Sequence, residues 1–95
     1  MAKQNLGKAL TTLYRRAMTT IDDAAALRQI REVAANGYAR TVRLHAGLSL
    51  REVAEAIGVD PSTVHRWEHG DRRPRGAAAL RYGELIDRLV RGGRS

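Results

Sequence analysis

At 95 residues and 10.5 kDa the chain is too short for two cores of ordinary size, which argues against a multidomain enzyme and predicts one compact domain with at most an appended helical segment. Hydrophobic types supply 43% of the residues and charged types 28%, the balance of a folded chain rather than a disordered polyelectrolyte, and with one Trp, three Tyr and no Phe the core must come from Leu, Val, Ile and Ala. Seventeen Lys and Arg against ten Asp and Glu give a formal charge of +7, which favours polyanionic partners, with nucleic acid ahead of an acidic membrane surface.

Apolar residues at 6, 10, 13, 14, 17 and 18 recur at spacings of three and four, which predicts an amphipathic helix over 5–18. Thr20 is placed to cap a second helix whose first turn carries Asp22 and Asp23, where the positive end of the helix dipole favours carboxylates. Ile21, Ala24, Leu27, Ile30, Val33 and Ala34 continue the stripe until Asn36-Gly37, a left-handed stop. Residues 1–37 are thus predicted to form a helical hairpin, with its apolar stripe turned onto the rest of the chain or onto a second copy.

A short helix follows over 38–46, with Val42 and Leu44 apolar and Arg40 and Arg43 outward or paired. Ser49 with Glu52 three places on is a capping box for a helix over 50–57, and Val53, Ala54 and Ile57 share one of its faces. Gly58 supplies the positive φ of a three-residue turn, after which Asp60 caps a helix with Pro61 at its first position. That helix ends at Gly70. A basic loop over 71–76 and a last helix from Ala77, carrying Leu80, Ile86, Leu89 and Val90, complete an all-α chain with a flexible tail at 92–95.

The stretch from Ser49 to Gly70 is two short capped helices about a glycine turn, with Ala54 at their close contact and Val64 and Trp67 facing inward: a helix-turn-helix. Over residues 38–90 the sequence resembles the phage-repressor or xenobiotic-response-element (Cro/repressor-like) family, through Val-Ala-x-x-Ile-Gly-Val at 53–59, Ser-x-Val-x-x-Trp-Glu-x-Gly at 62–70, and a proline after a basic loop. The resemblance implies that the helix from Pro61 enters the major groove of duplex DNA by its N-terminal half while the preceding helix crosses the backbone. Ser62, Thr63 and Arg66 then face base edges, Arg66 being suited to donate twice to guanine O6 and N7. Ser49, Arg51, His65, His69, Arg72, Arg73 and Arg75 flank that face as phosphate contacts. Glu68 is implied to pair with Arg43 as scaffold, with Ala54, Gly58, Val64 and Trp67 in structural roles. Two departures from the family pattern stand out: Leu50 replaces a frequent phosphate-binding glutamine, and Pro61 occupies a position often used to read bases. Readout therefore narrows to fewer side chains.

Other chemistry finds little support in the sequence. The absence of cysteine excludes disulfides and Cys-based zinc sites. His65 and His69, four apart, lack a third ligand and are read as facing solvent or phosphate; no metal or cofactor is expected. His45 is read as a partner of a helix C-terminus. No nucleophile, base and oxyanion set can be assembled, so the chain is not expected to be an enzyme. No apolar run approaches the roughly 20 residues of a membrane helix, and no signal-peptide pattern opens the chain, which predicts a cytoplasmic protein of a bacterial or phage-infected cell. The expected function is a transcriptional regulator, most simply a homodimeric repressor. The alternatives are an antitoxin-like factor that holds a partner protein through the N-terminal hairpin, or a phage accessory DNA-binding factor.

Overall fold

The computed structural model describes residues 20–92 as five helices: α1 (Ile21–Ala35), α2 (Tyr38–His45), α3 (Leu50–Ile57), α4 (Pro61–Glu68) and α5 (Gly76–Gly92). The fold is all-α, as the sequence predicts. The helix expected over 5–18 lies outside the described residues, so of the expected hairpin only the second helix is described.

Local chemistry sets the boundaries. Thr20 caps α1 with a full capping box: its hydroxyl accepts from the Asp23 N–H at 3.0 Å, and the Asp23 carboxylate accepts from the Thr20 N–H at 3.4 Å. Ser49 and Glu52 do the same for α3, at 3.0 and 2.9 Å. The Ser49 N–H, followed by the Ser49 side chain, holds the Glu52 carboxyl below its ordinary range. Asp60 corrects one expectation. It occupies the N-cap of α4, yet its side chain makes no capping hydrogen bond; the Thr63 N–H donates instead to the Asp60 backbone carbonyl at 2.9 Å. Gly58, at φ +78°, ends α3 in the left-handed region that an L side chain enters only with strain.

The core joins all five helices. Leu27, Ile30 and Ala34 of α1, Ala39 of α2, Val53, Ala54 and Ile57 of α3, Val64 and Trp67 of α4, and Ala79, Tyr82 and Ile86 of α5 are buried. Full burial of a side chain such as Ile57 stabilises by roughly 1.5–3 kcal/mol. α3 and α4 pack on each other, and α1 lies against α5, α2 and the back of α4. The α1 stripe is shorter than its sequence suggests. Ile21 is 89% exposed and Ala24 is exposed, because the first turn runs past the helices that cover Leu27 and Ile30. Leu44 is likewise half in solvent; the inward face of α2 is set by Ala39 and Arg43.

α1 and α5 approach closely because Gly83 presents only hydrogen to Ile30. A methyl group at that position would sit on the Ile30 side chain, 2.5 Å from Cγ1. Gly83→Ala gains about 1 kcal/mol in helix propensity but overpacks a stiff β-branched side chain at a typical cost of about 1–3 kcal/mol. A net loss of stability is expected in urea melts, relieved when Ile30→Ala is combined with it.

Candidate nucleic-acid interface

The site is built around α4. Eight residues are too few to be helical in isolation, so its order depends on what its inner face meets. Val64 is fully buried and Trp67 nearly so, with the indole 5.2 Å from the Tyr82 ring and tilted by 51°. Glu68 is buried too, where its carboxylate receives Arg43 Nε at 2.6 Å and a terminal nitrogen at 2.9 Å. The other terminal nitrogen of Arg43 donates to the Leu48 carbonyl at 2.9 Å. The hydrogen bonds to Glu68 raise the Arg43 guanidinium above its ordinary value, outweighing the opposite effect of burial. The scaffold pairing drawn from the family resemblance is therefore present as a bidentate pair, and it ties α2 to α4. Tyr82 lies beside it: burial, then the Glu68 charge, pushes its hydroxyl above the usual phenol range, and that hydroxyl meets no hydrogen-bond partner among the described residues.

With 64, 67 and 68 turned inward, helical spacing puts 62, 65, 66 and 69 on the opposite face. Ser62, His65, Arg66 and His69 are all exposed, and Thr63 at the margin is half-buried. The two histidine rings stack at 4.0 Å with 24° between planes, and His69 Nδ1 lies 2.8 Å from the His65 carbonyl, so that nitrogen carries the proton and donates. No group of three His, Cys, Asp or Glu side chains able to hold a metal occurs among the described residues.

Arg51 is exposed at the second position of α3, whose N-terminus also presents the N–H groups of Leu50 and Arg51 without intrahelical acceptors. Ser49 is committed to the capping box, so its Oγ accepts from backbone before it meets anything external. Arg72, Arg73 and Arg75 are exposed on the loop after α4, flanking a buried Pro74. His45 is exposed at the end of α2.

Two arginines that the sequence did not single out hold this assembly in place. Arg81 of α5 donates from Nε and a terminal nitrogen to the Ile57 carbonyl at 3.0 and 2.8 Å, satisfying the C-terminal end of α3 next to the turn. Arg31 of α1 donates from Nε to the Pro74 carbonyl at 2.8 Å. Neither position carries a local signal, since their partners are 24 and 43 residues away.

A paired, capped α3 and α4 about a glycine turn, with a polar face on the second helix and a basic loop beyond it, defines a helix-turn-helix DNA-binding module. The helix-turn-helix family model matches residues 40–88, and the chain belongs to that family, in its xenobiotic-response-element branch. No curated protein and no solved structure matches the chain. Among the described residues no helix is long and apolar enough to cross a membrane.

Proposed function

We propose that the chain is a sequence-specific transcriptional repressor that lays α4 in the major groove of its operator and occludes a promoter. The observation that carries this reading is the division of α4 into a locked inner face, Val64, Trp67 and Glu68, and an open outer face of Ser62, His65, Arg66 and His69. Arg66 reads guanine with two hydrogen bonds, Ser62 and Thr63 contact neighbouring edges, and Arg51, Arg72, Arg73 and Arg75 neutralise phosphates with the α3 N-terminus. His65 and His69 border the groove, and the Ser49 hydroxyl proton remains available to a phosphate oxygen.

A single eight-residue reading helix covers few base pairs, so we place two copies on half-sites about 34 Å apart. The groove between α1 and α5, lined by Ile30, Val33, Tyr38, Leu80 and Val90, is an apolar face away from α4 and also favours a second reading, in which a partner protein is held and DNA binding regulates the pair. Selection of bound fragments from random duplex DNA, with the mass of the free protein in solution, tests both.

Arg66→Ala is expected to relax preference at one base pair, a loss of about 1–3 kcal/mol of discrimination, while Arg72→Ala and Arg73→Ala weaken all duplexes alike and each lower the salt slope by about one. Unchanged base preference in Arg66→Ala would refute the docking.

A further inference from the structure

The loop that carries Arg72, Arg73 and Arg75 is bounded by Gly70 at φ +71° and Gly76 at φ +72°, and it packs three like charges into four residues. Mutual repulsion and the two glycine ends favour an open, splayed loop. Instead its middle is drawn inward. Pro74 is buried, and its carbonyl, the one backbone group there with a distant partner, receives Arg31 Nε–H at 2.8 Å. Arg31 is half-buried and belongs to α1, an element outside the residues matched by the family model. Between α1 and the loop lies a cleft of about 300 Å³ whose walls include Arg31, Glu32, Trp67, Arg72, Arg73 and Pro74. The same pocket wall thus contains the indole that seats α4 and the arginines that follow it.

Granted the duplex docking proposed above, we infer that Arg31 is a positioning residue for DNA binding: by pinning the Pro74 carbonyl it holds Arg72 and Arg73 beside α4 before the duplex arrives, so α1 is a working part of the DNA-binding unit. An arginine is suited to this because Nε–H lies on the rigid plane of the guanidinium and makes a charge-assisted bond to the carbonyl. A loop ordered in advance loses less freedom on binding, and its cations meet phosphates in register with the helix. Disordered, the same loop would still attract DNA, but diffusely.

The test uses the full chain. In the free protein, backbone order parameters at 72, 73 and 75 are expected near the rigid value of about 0.85 and to fall below about 0.6 in Arg31→Ala, with Leu27 and Val64 unchanged as a control for folding. For duplex binding, Arg31→Ala is expected to cost about tenfold in affinity at moderate salt, to lower the salt slope by about two, and to leave the preferred sequence intact. In an Arg72→Ala, Arg73→Ala background the same change is expected to cost almost nothing further, because the groups it positions are gone. Arg31→Gln keeps a donor for the carbonyl without the charge and is expected to retain loop order and most of the slope. If Arg31→Gln instead loses one unit of slope with the loop still ordered, Arg31 is itself a phosphate ligand and the positioning role is overturned; loop order unchanged in Arg31→Ala overturns it as well. If the wild-type protein shows no preference among duplexes, the docking fails on its own account, while the loop measurement still judges the Arg31–Pro74 link.

Discussion

Glu68→Ala is expected to be among the most damaging single substitutions in the described chain, with a stability loss of about 3–5 kcal/mol. The carboxylate is 1% exposed and Arg43 9%, so deletion leaves a guanidinium in a site that cannot rehydrate it. Arg43 would retain only its bond to the Leu48 carbonyl. The expectation separates the worth of the pair from the cost of breaking it. Replacing both partners with apolar residues of similar volume, Arg43→Met with Glu68→Leu, is expected to recover most of the loss, since desolvating two charges offsets much of their attraction. A cycle of urea melts over the two single variants and the double variant measures the coupling. Because the pair is enclosed, the result should change little between low and moderate salt, in contrast to the exposed Arg88–Glu84 and Arg91–Asp87 pairs of α5.

Trp67→Ala is expected to cost a similar amount, about 3–5 kcal/mol, through the cavity left when a large buried ring is removed. Here function should fail along with stability. The buried indole lies behind α4, set against Tyr82, and with Val64 it gives an eight-residue helix a fixed seat. Without it α4 loses the packing on which its helicity depends. Duplex affinity is therefore expected to fall further than the unfolded fraction accounts for, measured by titrating DNA at a temperature where circular dichroism shows the variant still folded. Trp67→Phe, which keeps an aromatic ring there, is expected to retain most binding.

Much of this architecture is legible in the sequence, and the reason differs from element to element. Capping boxes are local: Ser49 and Glu52, three residues apart, carry both halves of the interaction, so the start of α3 follows from composition and spacing alone. Gly58 is legible for the same reason, since a three-residue turn needs a positive φ. The outer face of α4 follows from helical periodicity once Val64 and Trp67 are assigned inward. The Arg43–Glu68 pair spans 25 residues and was accessible only through resemblance to a family. What stayed hidden is what depends on relative placement. Periodicity marks Ile21 and Leu44 as apolar without saying where the neighbouring helix ends, and both stand in solvent. Arg31 and Arg81 look like ordinary surface cations until the fold brings a carbonyl beneath each. Asp60 shows the reverse limit: a residue type well suited to capping holds the N-cap position without making the capping bond, and the Thr63 N–H goes to its backbone carbonyl.

The chain contains one tryptophan, and it is 3% exposed on the inner side of α4. Its emission consequently reports on a single element, α4, without any label. A blue-shifted spectrum that reddens on denaturation would follow the seating of that helix directly, and with Tyr82 close enough to pass excitation to the indole, light absorbed by the last helix would be read out from α4.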